Sequence, residues 1–391
     1  MKKYILFLII LTLIITGCSK TKEDVIKIGV IAELTGDVPA FGASCKNSVL
    51  MAAKEINDTG GLEVSGKKYK IQLFIEDNAA RPEQSASVAQ KLITQDNVVA
   101  ILGPNASGGA IPASEIAESS KIPFITPIST NPKTTIDPRS GLPKKFAFRV
   151  CYLDPFQGQV LATFALNNLK AKRAAVLFDV TSEVLKGQAE YFKKSFEAQG
   201  GTIAAFETYS TGDRDFSTQF TKIKNAAPDI IFLPSYYGEV PLQIQQAKRL
   251  GITVPFLGSD AWGSHDLLKL CGPDCEGYYF CSHYASDSTA PLTVDFVNKY
   301  KKMYGVVPDD VAALTYDGFQ ILLNAVKKSG KINPQAIRDA ISNTKDYKGI
   351  TGNITYTKDS GDPIKGAVII QIKNGDFKWF SDEATSRGSA P

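Results

Sequence analysis

Short apolar runs alternate with stretches whose apolar residues recur every three or four positions, and this rhythm holds along most of the chain. Runs rich in β-branched residues predict strands, among them IKIGVIAEL (26–34), YKIQLFIED (69–77), VVAILG (98–103), IPFITP (122–127), RAAVLFD (173–179), DIIFLPS (229–235) and PFLGSD (255–260). Between them, residues 48–58, 83–95, 184–199 and 240–251 carry apolar positions at helical spacing. Strands that are apolar nearly throughout and separated by helices imply parallel sheets covered on both faces, so the fold class is α/β.

One layout occurs twice. Around Gly60-Gly61 the order is helix, Gly-Gly, strand, polar turn, helix, strand, and then the turn GPNASGG (103–109). Around Gly200-Gly201 the same order leads through DIIFL to PSYYGEV (234–240). The repetition suggests two similar lobes, each with a turn at the carboxyl edge of its sheet, where open parallel sheets bind ligands. Two such edges facing each other make a cleft. The same rhythm would also suit an α/β protein without internal repetition.

The amino terminus adds an export reading. Met1-Lys2-Lys3 is followed by an apolar run from Tyr4 to Ile15, short for a membrane span and of the form of a signal peptide. Of 391 residues, 391 − 17 = 374 remain after Gly17, room for two domains of usual size. A net charge of +4 without a Lys/Arg block gives no electrostatic footing for nucleic acid, and no later run of 18 apolar residues exists.

GPNASGG between strand and helix suits an anion, because freed N–H groups and the positive end of the helix dipole converge there. No Lys follows Gly109, so it is not a phosphate-binding P-loop, and G-x-G-x-x-G is absent. Ser107 adds a hydroxyl donor, and Asp260 stands as an acid at the end of PFLGSD. Either residue could instead be a helix cap.

Taken together, IKIGVIAELTGDVPAFG, AAKEINDTGGL, VVAILGPNASGGAIPASEIAESSKIPFITPIST and DFSTQFTKIKNAAPDIIFLPSYYGEV resemble the Leu/Ile/Val-type substrate-binding proteins of ABC transporters, from about Val25 to Phe380. The resemblance implies the type I periplasmic-binding fold: two lobes joined by three crossovers and closing over an amino acid. It implies the boundaries 1–17 signal peptide, 18–24 tether, 25–150 first lobe, 151–283 second lobe, 284–352 return to the first lobe, 353–381 return to the second, and 382–391 tail. ITGC resembles a lipobox, with Cys18 lipidated and the protein held outside the cytoplasm at a membrane; an ordinary signal peptide is the other reading. By resemblance, Ser107 binds the α-carboxylate, the Ile128 carbonyl accepts from the ammonium, and Thr130, beside Ser129, contacts both charged groups. Tyr236 closes the site from the second lobe, Asp260 pairs with the ammonium, and Phe41 lines the side-chain pocket. A tyrosine of the family has no equivalent here, its place falling on Val184 or Glu183, and Asp260 stands for a longer glutamate. The implied partners are an amino acid and an ABC permease, with the protein a monomer and no cofactor or metal required.

The remaining cysteines and histidines leave alternatives open. A disulfide of some relatives would fall on Ala80 and Ala106 and is therefore missing. CGPDC places Cys271 and Cys275 across a Gly-Pro turn, suited to a local disulfide in an exported protein. Cys281, His265 and His283 lie in the same window, so a metal site and free thiols are the competing readings, though no C-x-x-C spacing is present. Cys45 and Cys151 read as buried small apolar residues. A Ser107 hydrolase using His265 with Asp260 or Asp266 would need a G-x-S-x-G elbow that the chain lacks, and a ligand sensor for a membrane receptor would share every feature of the binding site.

Overall fold

A computed structural model describes residues 24–357 and 359–383. The predicted signal peptide, Cys18 and nearly all of the tether lie outside the described residues. The first sheet contains β1 (Val25–Ala32), β2 (Leu62–Val64), β3 (Lys67–Asp77), β4 (Ala100–Leu102), β5 (Phe124–Thr126) and β6 (Ala147–Arg149) in the order β2-β3-β1-β4-β5-β6. All its pairings are parallel except β2 with β3. β1 lies inside the sheet, pairing Val30 with Ile75 on one side and Leu102 on the other. Its five final residues are all buried, as a strand covered on both faces requires.

The second sheet starts with β7 (Arg173–Asp179), β8 (Thr202–Tyr209), β9 (Ile230–Leu233), β10 (Phe256–Gly258) and β11 (Tyr279–Ser282). The chain then passes through three helices and a small sheet of β12 (Tyr347–Gly349), β13 (Gly352–Tyr356) and β14 (Pro363–Ile364). It rejoins the second sheet as β15 (Ala367–Lys373) and β16 (Asp376–Glu383), giving the order β16-β15-β11-β10-β9-β7-β8, in which β15 pairs antiparallel with both β11 and β16. β16 runs two residues into the expected tail, because its pairing with β15 continues to Ala367–Glu383. The result is an α/β protein of two lobes with mainly parallel sheets.

The returning segment is fastened to the first lobe. Helix Asp310–Ser329 is capped by Asp309, whose side chain accepts from Ala312 N, and ends at Gly330 in the left-handed conformation. It packs on helix Pro39–Asp58 through Ser44 Oγ to Asp309 Oδ2 (2.6 Å), Ser48 Oγ to the Ala312 carbonyl (2.8 Å) and Tyr316 OH to Glu55 Oε2 (2.6 Å). Where the chain leaves β6, the fully buried Arg149 donates to Asp362 Oδ1 at 2.6 Å, tying the first exit from the lobe to the last crossing. No helix among the described residues is long and apolar enough to cross a membrane.

Candidate functional site

The turn after β4 is braced from behind by an acid. Gly103 adopts φ +79° with the Ile31 carbonyl lying where a Cβ would sit, so only glycine fits. Glu33, fully buried at the end of β1, accepts from Asn105 N and Ala106 N at 2.9 Å each and from Asn105 Nδ2 at 2.7 Å. Burial raises the Glu33 pKa and these hydrogen bonds pull it back.

Helix Ser107–Ser120 begins two residues before Gly109, with Ala106 as N-cap and no side-chain capping bond. The capping role for Ser107 falls away: it is the first helical residue, and its Oγ accepts from Asn131 N at 3.4 Å. Gly109 is not a free donor, since its N–H bonds the Ala106 carbonyl at 3.0 Å. It is glycine for packing, because a Cβ there would lie 2.6 Å from Ser85 Oγ. The N–H groups of Ser107 and Gly108 are left at the positive end of the helix.

The segment after β5 is set by Arg149. The guanidinium donates to the Ser129 carbonyl, to the Asn131 carbonyl (3.0 Å) and to Thr135 Oγ1 (2.6 Å). The Ser129 hydroxyl pairs with Thr134 Oγ1 at 2.6 Å, so this side chain faces its own loop. Ile128 and Thr130 on either side face the other way, into a cavity with about 330 Å³ of atom-free space between the lobes.

The first lobe lines this cavity with Phe41, Asn105, Ser107, Ile128 and Thr130, and the second with Val184, Leu185, Gln188, Tyr236 and Asp260. Seven of the residues singled out in the sequence thus meet around one space. Ser129 and Glu183 do not. Glu183 is exposed on the first turn of helix Glu183–Ala198, pairs with Lys133, and lines the wider mouth of the cleft with Asp37, Asp179, Asp213 and Glu239. Phe41 meets Tyr236 edge-on (centroids 6.4 Å apart, 73° between planes), and Tyr237 OH accepts from Ala40 N at 3.1 Å, so both are contacts between lobes.

Asp260 opens a short turn after β10 and is 4% exposed. It caps nothing: Ser259 precedes that turn, and Ser264 caps the following helix His265–Cys271. Its backbone N–H donates to Gln157 Oε1 (2.8 Å), while its carboxylate meets His283 Nε2 (3.3 Å) and Gln188 Nε2 (3.2 Å). A second carboxylate, Asp154, accepts from the same Gln188 nitrogen at 3.2 Å. Burial and the nearby Asp260 charge push the Asp154 pKa up to about 7, against a hydrogen bond from the Thr130 side chain. Burial also raises the Tyr236 hydroxyl, which stays a donor at neutral pH.

Sequence reasoning missed Asn105, Gln188 and Asp154. Gln188 carried a signal: it is a polar residue on the apolar stripe Val184, Leu185, Phe192, Phe196. Asn105 and Asp154 carried none, since each looks like an ordinary loop or helix-start residue. Cys271 and Cys275 form a disulfide. Cys281 Sγ lies 3.1 Å from Tyr152 OH, and Cys45 and Cys151 are buried free thiols, their pKa raised to about 12 by burial. His265 lines a different cavity with Ser282, Asp310 and Phe377. Among the described residues no three His, Cys, Asp or Glu side chains are grouped to hold a metal ion.

The chain is 29% identical over 364 residues to the leucine-, isoleucine-, valine-, threonine- and alanine-binding protein of Pseudomonas aeruginosa, covering 92% of this chain and 91% of that one. A leucine-binding protein of Thermotoga maritima superposes with a TM-score of 0.84 at 33% identity, over 92% of this chain and 98% of the other. The branched-chain amino acid transporter substrate-binding protein of Streptococcus pneumoniae, solved with isoleucine, gives 0.84 at 30% identity over 92% and 99%. The periplasmic binding protein family model matches residues 25–376, and with the two lobes and the cavity between them this places the chain in that family.

Proposed function

We propose that the protein captures an α-amino acid, branched-chain or of similar apolar to modestly polar character, between its lobes and delivers it to an ABC transporter. The observation that carries this reading is the pairing of opposite chemistries across one cavity. Ser107 and a helix amino terminus stand on the first lobe, and Asp260 stands on the second. A zwitterion satisfies both at once: its carboxylate takes the Ser107 hydroxyl and the freed N–H groups, and its ammonium takes Asp260 and the Ile128 carbonyl. Thr130 contributes beside Asp154, and Phe41, Val184 and Tyr236 bound the side chain. Because groups from both lobes hold the ligand, it favours the closed arrangement, and differential contact of this kind couples binding to closure.

The reading is of binding without catalysis. Ser107 is engaged by Asn131 N, and His265 lines another cavity, so neither is arranged as nucleophile and base. A monomer is what the family resemblance implies. Placement outside the cytoplasm follows the family, and Cys18 is the proposed lipid anchor: Cys18→Ser should release the protein from the membrane fraction or block its maturation, and unchanged membrane retention would count against the anchor.

A thermal-shift screen of the twenty amino acids tests the ligand class. A ligand with a Kd of about 1 μM present at about 100 μM should add about 2.7 kcal/mol of stability. Silence across all twenty, with a response to sugars or phosphates, would sink the reading.

A further inference from the structure

Helix Glu183–Ala198 turns a polar side chain into the cleft from an otherwise apolar face. Gln188 is 4% exposed and lines the cavity beside Asp260. A side-chain amide has two N–H donors on nitrogen and an acceptor oxygen, and a buried one needs all of them met. Its nitrogen is fully used, lying 3.2 Å from Asp154 Oδ1 and 3.2 Å from Asp260 Oδ1. The Asp260 carboxylate only accepts, so the amide nitrogen and not its oxygen faces it, and Asp154 Oδ1 lies on that same nitrogen, which sets the orientation of the side chain. Gln188 Oε1 is then left buried without a partner among the described residues. A buried acceptor held in place by two acids, on the wall of a ligand cavity, is an acceptor kept for the ligand.

We propose that Gln188 reads the ligand's ammonium: its Oε1 accepts one N–H beside the Asp260 carboxylate, so that the site selects a primary ammonium over an N-substituted one. This rests on the amino-acid reading above. An ammonium offers three N–H donors, and Asp260, the Ile128 carbonyl and Gln188 Oε1 offer three acceptors. The division of labour follows from charge. Asp260 recognises the positive charge, whereas the neutral Gln188 carbonyl counts hydrogens, and a methyl group put in place of one of them would leave that carbonyl buried and unpaired.

The test is a cycle between protein and ligand. Gln188→Met keeps the length and bulk of the side chain and removes its acceptor. L-Leucine and N-methyl-L-leucine are titrated calorimetrically into parent and variant, and any other amino acid returned by the screen is paired with its own N-methyl form. The parent should prefer the primary amine by roughly ten- to hundredfold, the size of one hydrogen bond to a charged group, and in Gln188→Met that preference should collapse towards unity. If Gln188 only positions Asp260, both ligands weaken by the same factor and the preference survives, which overturns the proposal. Should the variant not fold, the parent decides alone: equal binding of the primary and N-methyl forms overturns it. A parent that binds none of the twenty amino acids removes the amino-acid reading and this proposal together, whereas binding with an unaltered preference removes only this one.

Discussion

His283 Nε2 lies 3.3 Å from Asp260 Oδ2, with both side chains buried. A carboxylate only accepts, so the imidazole presents Nε2–H to it, and Nδ1 is left without a partner among the described residues. Burial holds the His283 pKa below its ordinary value, while the bond to Asp260 pulls the other way. A neutral imidazole orients Asp260 without cancelling its charge. The carboxylate is thereby aimed and still available to a cation.

Asp260→Asn should therefore separate charge from shape. With the ammonium left unpaired in a buried site, amino-acid affinity should fall by roughly 3–5 kcal/mol. The asparagine oxygen can face His283 or Gln188 but not both, so the protein without ligand should lose about 1 kcal/mol. Calorimetric titration and chemical denaturation of the variant measure the two effects, and binding equal to the parent would put Glu239 next in line as the ammonium partner.

Ser107→Ala removes one hydroxyl donor to the carboxylate and should weaken binding by about 1.5–3 kcal/mol. Its bond with Asn131 N is long at 3.4 Å, so stability without ligand should shift by less than about 1 kcal/mol. An affinity loss matched by an equal stability loss would mean that Ser107 shapes the turn instead of holding the ligand.

Much of this architecture was legible in the chain because strands such as DIIFLPS and RAAVLFD are apolar on both faces, a property that single-sequence patterning reads well. The turn GPNASGG was legible as a helix-start anion site, but not the use that Glu33 makes of two of its N–H groups, since that acid is 72 positions from Asn105. Longer separations hid Gln157, 103 positions from Asp260, and Arg149, which bonds Asp362 across 213. Ser129 and Glu183 were drawn into the site by position in a motif, and their partners Thr134 and Lys133 turn them elsewhere. Periodicity reports which face of an element is buried; it does not report which distant polar group a buried side chain finds.

Arg149 is the clearest case of such a distant device. It is 0% exposed and holds the Ser129 and Asn131 carbonyls that frame Thr130. Arg149→Met should leave Asp362 without its cation and those carbonyls without donors, destabilising the fold by roughly 3–5 kcal/mol. Ligand affinity should fall as well, because Ile128 and Thr130 lose the support of the loop between them. Denaturant midpoints and titration on one preparation check both, and a variant as stable as the parent would contradict the bracing role.

The Cys271–Cys275 disulfide closes a loop of sequence separation 4, so its constraint on the unfolded chain is small. Replacing both cysteines with serine should cost about 2 kcal/mol. Neither residue lines the interlobe cavity, so affinity should be retained within about twofold, or about 0.4 kcal/mol. A large loss of binding with modest loss of stability would show that the turn after helix His265–Cys271 helps to set Asp260.

Asp154 gives the pH signature. Its pKa is raised from the ordinary 3.8 to about 7 by burial first and then by the Asp260 charge, with Thr130, Gln188 and Arg149 opposing. A raised carboxyl holds its proton more tightly in the native protein than in the unfolded chain. Between about pH 4 and pH 7 the native state therefore carries more protons, and stability falls as pH rises through that window and levels off above it. A tenfold change in proton affinity is worth about 1.4 kcal/mol, so the whole change is of order 4 kcal/mol. Asp154→Asn removes this titration while keeping an oxygen for Gln188 Nε2. Other raised acids such as Glu33 and Asp310, and the lowered histidines, remain in both proteins. The difference in unfolding free energy between variant and parent isolates Asp154. That difference should shift in favour of Asp154→Asn between pH 5 and pH 8 in ligand-free protein. A difference that stays flat across that range would mean that Asp154 is ionised throughout, with Gln188 and Thr130 enough to hold its charge.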